Sequence, residues 1–213
     1  LKEIKEGTAV YTKNGEEDTL DGDAILLATG RGPNTEGLHA ERAGVELTKR
    51  GAVVTDKHLR TTAENIWAAG DVCGNLQFTY ISLDDSRIIL SDMQGDGSRT
   101  TENRGAFAYS VFMEPSFSRV GLSEKEAADK GLNYRVVRMN TDMIPKAKVL
   151  RKTTGMLKAV IDKDSGKIFG AALFCPESYE IINMVKLAMD HDLDYTVLRD
   201  FIYTHPTMSE GLN

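Results

Sequence analysis

The hydrophobic pattern of the chain changes at residues 94–98, and this change constrains the fold more than any other feature. The segment reads Gln-Gly-Asp-Gly-Ser, a composition typical of a linker between folded units. Before it, short apolar runs stop abruptly at glycines, as buried strands of an α/β sheet do. After it, the pattern changes to one that predicts antiparallel strands combined with helices. We therefore predict a boundary after residue 95 between two differently organised parts.

The first part is predicted to contain short strands followed by one helix. A hairpin turn at residues 13–15 is expected between the first two strands. Residues 24–28 are continuously apolar, which predicts a strand buried on both faces. The helix is expected over residues 79–93. Four apolar side chains lie on one side of it: Ile81, Ile88, Ile89 and Met93. The predicted strands are residues 8–12, 18–20, 24–28, 53–54 and 66–69.

The second part predicts an antiparallel sheet with flanking helices. Ser123 and Glu126 have the spacing of a capping box, in which each side chain bonds the other residue's backbone N–H. Pro176 suits the first turn of a later helix, and Thr196 is expected to cap a short final helix that ends near Tyr203. The apolar stripe of the later helix is Ile181, Ile182, Val185, Ala188 and Met189. The predicted strands are residues 108–113, 134–139, 156–161 and 168–174.

Composition excludes several functional classes. The formal net charge is −6, with 26 basic and 32 acidic residues mixed along the chain, so a general nucleic-acid surface is not expected. No apolar run approaches the roughly 18 residues of a membrane span, and no secretory signal is recognisable. The two cysteines are far apart and lack a metal or redox spacing, which indicates a reducing, cytoplasmic compartment. The chain starts at Leu1 in the middle of a pattern, which suggests a piece of a longer protein.

The strongest chemical motif lies near the C-terminus. His205 is followed five residues later by Glu210. A carboxylate at this spacing can hold one ring nitrogen, orient the ring and stabilise the imidazolium, which makes an acid/base pair. Pro206 stiffens the turn and is a candidate for a cis peptide bond. The alternative is a solvent-exposed histidine in a C-terminal turn, and spacing alone favours that alternative.

A second motif is the strand end at Gly70 and Asp71. Glycine permits close approach of a ligand to the backbone, and the aspartate can accept hydrogen bonds from a ribose or ribityl diol. Phe78 and Thr79 then open a helix, whose free N–H groups and positive dipole end suit an electron-rich ligand edge. The alternative is an ordinary tight turn between a strand and a loop.

A third motif, residues 28–34, offers Gly-x-Gly after a predicted strand. It lacks the third glycine of a phosphate-binding fingerprint, and Pro33 interrupts the position where a helix would start. We therefore interpret it as a turn that crosses between domains and touches a cofactor with its backbone at Gly30.

The remaining candidates are interpreted as structural. His39 and His58 are expected at the surface, and His191 in a solvated turn without the ligands of a metal site. Cys73 is expected to be a small buried side chain close to Asp71. Cys175 is expected in the core, and no metal site is predicted.

These motifs, in this order, resemble the C-terminal half of the class I pyridine nucleotide-disulfide oxidoreductases. That family includes glutathione reductase, dihydrolipoamide dehydrogenase and mercuric reductase. The resemblance covers essentially the whole chain and lies in residues 28–34, 62–71, 115–127 and 205–210. Residues 74–85 are most similar to the mercuric-reductase-like, reactive-chlorine-resistance branch. The family's Gly-x-Gly-x-x-Gly FAD fingerprint, Cys-x4-Cys redox pair and glycine-rich NAD(P) loop do not occur in the chain.

The resemblance implies roles for six residues in an enzyme that passes electrons from NAD(P)H through FAD and a redox disulfide to an acceptor. Asp71 would bind the ribityl chain of FAD, and Phe78 and Thr79 would face the flavin through their backbone. Gly30 would approach the nicotinamide nucleotide. His205, supported by Glu210, would be the acid/base toward a thiol of the partner subunit.

The resemblance also implies an architecture. An α+β interface domain with an antiparallel sheet and flanking helices would follow an incomplete remnant of the NAD(P)- and FAD-binding α/β domains. Residues 1–30 would end the NAD(P)-binding domain, 31–95 would belong to the FAD-binding domain, and 96–213 would form the interface domain. Partners would be a second copy, bound through residues 99–213, and the N-terminal half of the same enzyme. The alternative is an inert dimerisation or binding module when the chain is isolated.

Overall fold

The computed structural model describes all 213 residues and consists of two compact units. The first unit is Leu1–Thr101 and the second is Glu102–Asn213. The three-segment division at residues 30 and 95 stays a prediction. None of the α-helices combines the length and hydropathy that a membrane span requires.

The first unit begins with a three-stranded antiparallel meander. Its strands are β1 (Glu3–Lys5), β2 (Thr8–Lys13) and β3 (Glu16–Asp21), with β2 in the centre. The turn between β2 and β3 contains Gly15 at a φ of +89°, a conformation that glycine adopts without strain. The predicted hairpin is therefore present, with strands slightly longer than expected.

The prediction of a buried strand over residues 24–28 is wrong for this chain. These residues are irregular, and Leu26 and Leu27 are 89% and 68% exposed. An apolar run becomes a buried strand only when neighbouring strands satisfy its backbone groups on both sides. No strand of the chain pairs with this run.

The rest of the first unit packs irregular segments against one long helix. The predicted strands at residues 53–54 and 66–69 are reduced to single bridges, Leu47 to Val53 and Arg60 to Trp67. Helix α1 (Thr79–Gln94) begins where expected. Leu59, Cys73 and Ile88 form one small core under α1. Met93 lies outside this core and is 55% exposed, so the predicted stripe is shorter than expected.

The second unit is the predicted α+β arrangement. Its five-stranded sheet is antiparallel throughout, with strand order β4-β5-β8-β7-β6. The strands are β4 (Ala108–Val111), β5 (Phe117–Gly121), β6 (Tyr134–Asn140), β7 (Met156–Asp162) and β8 (Ile168–Phe174). The helices are α2 (Glu124–Asp129), α3 (Pro145–Leu150), α4 (Ser178–Asp190) and α5 (Tyr195–Arg199). The fold class predicted from the sequence is confirmed.

The caps of the helices agree with the sequence in part. The capping box of α2 is present, since the Ser123 hydroxyl accepts from the Glu126 amide and the Glu126 carboxylate accepts from the Ser123 amide. The expected cap of α5 is wrong, because the side chain of Asp194, not Thr196, accepts at that N-terminus. The aspartate precedes the helix by one residue and can reach the first free amides, which a residue already inside the helix cannot do as well. Helix α5 ends at Arg199, before the expected end near Tyr203. Helix α4 begins at Ser178, two residues after Pro176.

The main core of the molecule lies between the sheet and α4. Its members come from the predicted stripe of α4, from strands β4, β5, β7 and β8, from α3 and the residue before it, and from the C-terminal loop. The fully buried members include Val120, Ile144, Val185, Leu173 and Met208. The C-terminal loop is thus fastened to a packed core.

Candidate functional site

The C-terminal loop of the second unit brings His205 and Glu210 together. Nδ1 of His205 lies 2.8 Å from Oε1 of Glu210. The second carboxylate oxygen accepts a hydrogen bond of 2.8 Å from the backbone N–H of Thr207. The side chain of His205 is 67% exposed, whereas that of Glu210 is 17% exposed. A mostly buried carboxylate therefore holds a ring that remains accessible.

Local packing fixes the position of this loop. Met208 is 1% exposed and belongs to the main core. A Cβ added at Gly211 would lie 2.7 Å from Cδ1 of Ile144, so glycine allows the loop to approach the core closely. The Thr207 hydroxyl donates to the carbonyl of Thr204 at 2.8 Å, and the peptide bond between His205 and Pro206 is cis. The loop that carries the acid/base pair is therefore packed against the main core.

The electrostatics of the pair decide which ring nitrogen carries a proton. The hydrogen bond from the Thr207 amide, followed by the one from His205, lowers the pKa of Glu210. The carboxylate is therefore ionised at neutral pH and can only accept hydrogen bonds. Nδ1 of His205 consequently donates to it, and in the neutral ring Nε2 is left with the free lone pair. This arrangement can accept a proton at Nε2 and return it.

The second candidate site is the turn around Asp71 in the first unit. Gly70–Cys73 form one turn of 3-10 helix, and this turn contacts α1. The side chain of Asp71 is 34% exposed, and its carboxylate is paired with the guanidinium of Arg31. The N-cap residue of α1, Phe78, makes no side-chain hydrogen bond to the first turn, which begins at Thr79. A partly accessible carboxylate and an uncapped helix start therefore lie in the same unit.

Gly30 is the remaining predicted site residue, and it lies in an exposed segment without a strand partner. Its φ is +93°, and a Cβ there would meet no atom within 4 Å. The roles of Gly30, Asp71, Phe78 and Thr79 toward a cofactor stay predictions, as do the catalytic roles of His205 and Glu210.

Sequence reasoning missed the contacts that hold Asp71 in place. Arg31 belongs to the motif at residues 28–34, and its charge, opposite to that of Asp71, was the available signal. The buried carboxylates of Asp85 and Asp92 on α1 gave no such signal, because aspartates on a helix usually face solvent.

The other titratable candidates divide into exposed and buried groups. His39 and His191 are exposed, as expected. The expectation that His58 is a surface residue is wrong, since its side chain is 19% exposed and its Nδ1 lies 3.8 Å from Asp92. Both cysteines are buried, and burial raises the pKa of Cys175 to about 12, which leaves this thiol unreactive at neutral pH.

Two family patterns match the chain. The pattern described as pyridine nucleotide-disulphide oxidoreductase, dimerisation domain, matches residues 107–213. The pattern described as pyridine nucleotide-disulphide oxidoreductase matches residues 1–86.

Two relatives and one solved structure illustrate the similarity. The probable pyridine nucleotide-disulfide oxidoreductase RclA of Escherichia coli is 50% identical over 200 residues, which cover 94% of this chain and 45% of the relative. A mercuric reductase of Staphylococcus aureus is 36% identical over 207 residues, 96% of this chain and 38% of the relative. The structure of the Cu(II) complex of the HOCl-induced flavoprotein disulfide reductase RclA from Escherichia coli superimposes with a TM-score of 0.92 at 48% identity. That match covers 99% of this chain and 47% of the other chain.

The chain thus spans less than half the length of these relatives. The agreement nevertheless extends over both units, in sequence and in structure. The chain belongs to the pyridine nucleotide-disulphide oxidoreductase family, and residues 107–213 are its dimerisation domain.

Proposed function

We propose that the chain forms part of a homodimeric, FAD-dependent enzyme that passes electrons from NAD(P)H through FAD and a redox disulfide to an acceptor. The observation that carries the proposal is the geometry of His205, whose Nδ1 is held 2.8 Å from Glu210 while the ring stays 67% exposed. Family membership supplies the class of reaction. The reactive thiols would come from polypeptide outside these residues, because both cysteines here are buried and free.

His205 would be the acid/base of the thiol chemistry. Nε2 would accept the proton of a thiol of the partner subunit as the thiolate forms, and return it when a thiolate leaves. Glu210 would keep the proton on Nδ1 and stabilise the imidazolium while Nε2 is protonated. Because Glu210 is itself held by the Thr207 amide, the pair is organised before any thiol arrives.

The turn at Asp71 has the chemistry to hold FAD. A carboxylate that is one-third exposed can accept hydrogen bonds from the ribityl hydroxyls. The uncapped start of α1 at Phe78 and Thr79 offers amide donors and a positive dipole end to the pyrimidine edge of a flavin. When bound, FAD supplies the electron-transfer chemistry between nicotinamide and disulfide. Gly30 would allow the nicotinamide nucleotide to approach the backbone.

The proposed dimer would form through residues 99–213. Several large apolar side chains of the second unit are exposed, among them Phe112 at 80% and Ile202 at 92%. A second copy bound over these side chains would remove their apolar surface from water, which favours association. We place the enzyme in the cytoplasm, because buried free cysteines suit a reducing compartment.

The isolated chain is expected to be an inert dimerisation module. It lacks a redox cysteine pair and a glycine-rich phosphate loop, so it should bind FAD only weakly. Flavin that remains bound in stoichiometric amount through gel filtration would contradict this expectation.

Rapid-mixing kinetics on the enzyme that contains this chain tests the role of His205. In the variant His205→Ala, bleaching of the flavin by NAD(P)H should stay near the wild-type rate, while turnover with acceptor falls by about 10²–10⁴-fold. His191→Ala removes an exposed histidine of the same unit and should change neither rate. Loss of flavin reduction in His205→Ala, or unchanged turnover, would show that the assigned role is wrong.

A further inference from the structure

Two buried carboxylates on α1 face the segment that leads to Asp71. Asp85 is 3% exposed, and the side chain of Asp92 is also 3% exposed. They are seven residues apart, about two helical turns, and so lie on the same face of α1. A buried carboxylate is costly unless it is hydrogen-bonded, so the partners of these two indicate what they hold.

Asp85 holds the turn itself. Its Oδ2 accepts a hydrogen bond of 2.8 Å from the backbone N–H of Gly70, the residue before Asp71. Gly70 has a φ of +75°, and a Cβ there would lie 2.6 Å from Oγ of Ser82. The turn is therefore pressed against the first part of α1, and only glycine permits this approach.

Asp92 holds Trp67, which lies three residues before Gly70. Its Oδ2 accepts from Nε1 of Trp67 at 2.9 Å and from Nε of Arg60 at 2.7 Å. The other oxygen accepts from the second nitrogen of the same guanidinium, which makes the Arg60 contact bidentate. These bonds, led by the one from Arg60, lower the pKa of Asp92, so it remains an acceptor at neutral pH.

We propose that Asp85 and Asp92 are positioning residues of the flavin site, which hold residues 67–70 on α1 and thereby fix the position of the Asp71 carboxylate relative to that helix. The segment is held at both ends, at Trp67 by Asp92 and at Gly70 by Asp85. Asp71 follows directly, so its direction depends on the Gly70 contact. This inference rests on the proposed function, because the proposed flavin site requires Asp71 and Thr79 in a fixed relation.

The first arm of the test measures the two contacts without flavin. Amide hydrogen exchange is followed by NMR in the 213-residue chain and its variants. Asp85→Ala should speed exchange of the Gly70 amide by about tenfold, the factor that one lost buried hydrogen bond represents. Asp85→Asn keeps an acceptor oxygen and should restore slow exchange. Ser86→Ala changes an exposed neighbour on the same helix and should have no effect.

The second arm asks whether the contacts matter to flavin. FAD is titrated to millimolar concentration, and the shifts of the Asp71 and Thr79 amides are recorded. The wild-type chain, Ser86→Ala and Asp85→Asn should respond alike. Asp85→Ala should require about tenfold more FAD for the same shift, in proportion to the lost bond. Trp67→Phe keeps an aromatic side chain but removes the N–H donor to Asp92, and it should weaken the response in the same direction.

The outcomes separate this inference from the proposed function. An equal FAD response in all variants would overturn the positioning role and leave the flavin site intact. Unchanged Gly70 exchange in Asp85→Ala would also overturn it. No response of Asp71 and Thr79 in the wild-type chain, with the exchange differences present, would reject the flavin site and the positioning role with it. If Asp85→Ala fails to fold, Trp67→Phe against Ser86→Ala still decides the question, because an unchanged FAD response in Trp67→Phe would overturn the proposal.

Discussion

At the scale of single residues, the proposed acid/base role of His205 requires that the proton of the neutral ring is on Nδ1. The ionised Glu210 accepts from Nδ1, so Nε2 is the nitrogen left to exchange a proton, in our proposal with a thiol of the partner subunit. Tautomer control of this kind is what a carboxylate beside a histidine provides. The second oxygen of the carboxylate accepts from the Thr207 amide, which holds the carboxylate in place beside the ring.

Removal of the Glu210 carboxylate should end the preference of the His205 ring for one tautomer. In Glu210→Ala, the neutral His205 ring is expected to populate both tautomers, whereas the wild-type ring carries its proton at Nδ1. Nitrogen-15 NMR of the ring distinguishes the two states, and His191, exposed in the same unit, is the internal control. A single Nδ1-protonated form in both proteins would contradict the role of Glu210. In the complete enzyme, loss of Glu210 should slow turnover less than loss of His205.

At the scale of elements, the start of α2 carries the most clearly shifted carboxyl group. Hydrogen bonds from Ser123, followed by the contact with Arg119, lower the pKa of Glu126 to about 2. A carboxyl group with a lowered folded-state pKa stabilises the fold above its ordinary pKa, and this contribution is lost as the pH falls through the folded value.

The capping box should therefore contribute to the decrease in the free energy of unfolding at acidic pH. The free energy of unfolding is expected to fall between about pH 4.5 and pH 2, and Glu126→Gln should remove part of this fall. Ser123→Ala should cost about 1 kcal/mol at neutral pH, because it leaves a first-turn amide without its acceptor. Urea unfolding as a function of pH measures both effects. An identical pH profile for wild type and Glu126→Gln would contradict the assignment.

The elements that the sequence predicted best are those with complete local signals. Strands β6, β7 and β8 are seven residues each, long enough to be recognised, and the box at Ser123 and Glu126 marks its helix without tertiary information. Strand β5 and helix α3 were missed because five or six residues give too short a pattern.

Other features depend on pairing between distant residues, which a pattern cannot supply. Residues 24–28 have the composition of a buried strand, but their neighbours decide whether one forms. The candidate site, too, was predicted only where the residues in contact are close in sequence. His205 and Glu210 are close in sequence, so their contact could be proposed from the motif, although spacing alone favoured an exposed histidine. The link between Asp85 and Gly70 joins residues fifteen positions apart through the packing of α1, and only the structure reveals it.

At the scale of the whole molecule, the two units should differ in stability. The second unit has a continuous sheet and the main core, whereas the first has small cores and an unpaired apolar run. Backbone amides of residues 1–95 are therefore expected to exchange faster than those of the sheet in the second unit. Hydrogen exchange with mass spectrometry measures this difference. Equal protection in both halves would mean that the first unit is stabilised by contacts that this account does not include.

The central claim is that two copies of this chain come together through residues 99–213, since His205 would act on a thiol of the partner. A stable interface of this kind should bury more than about 1,000 Å². Light scattering at micromolar concentration measures the claim most directly. We predict twice the chain mass of 23.4 kDa, and a shift toward the monomer when the exposed Ile202 is replaced in Ile202→Asp. A monomeric mass for the wild-type chain would contradict the account.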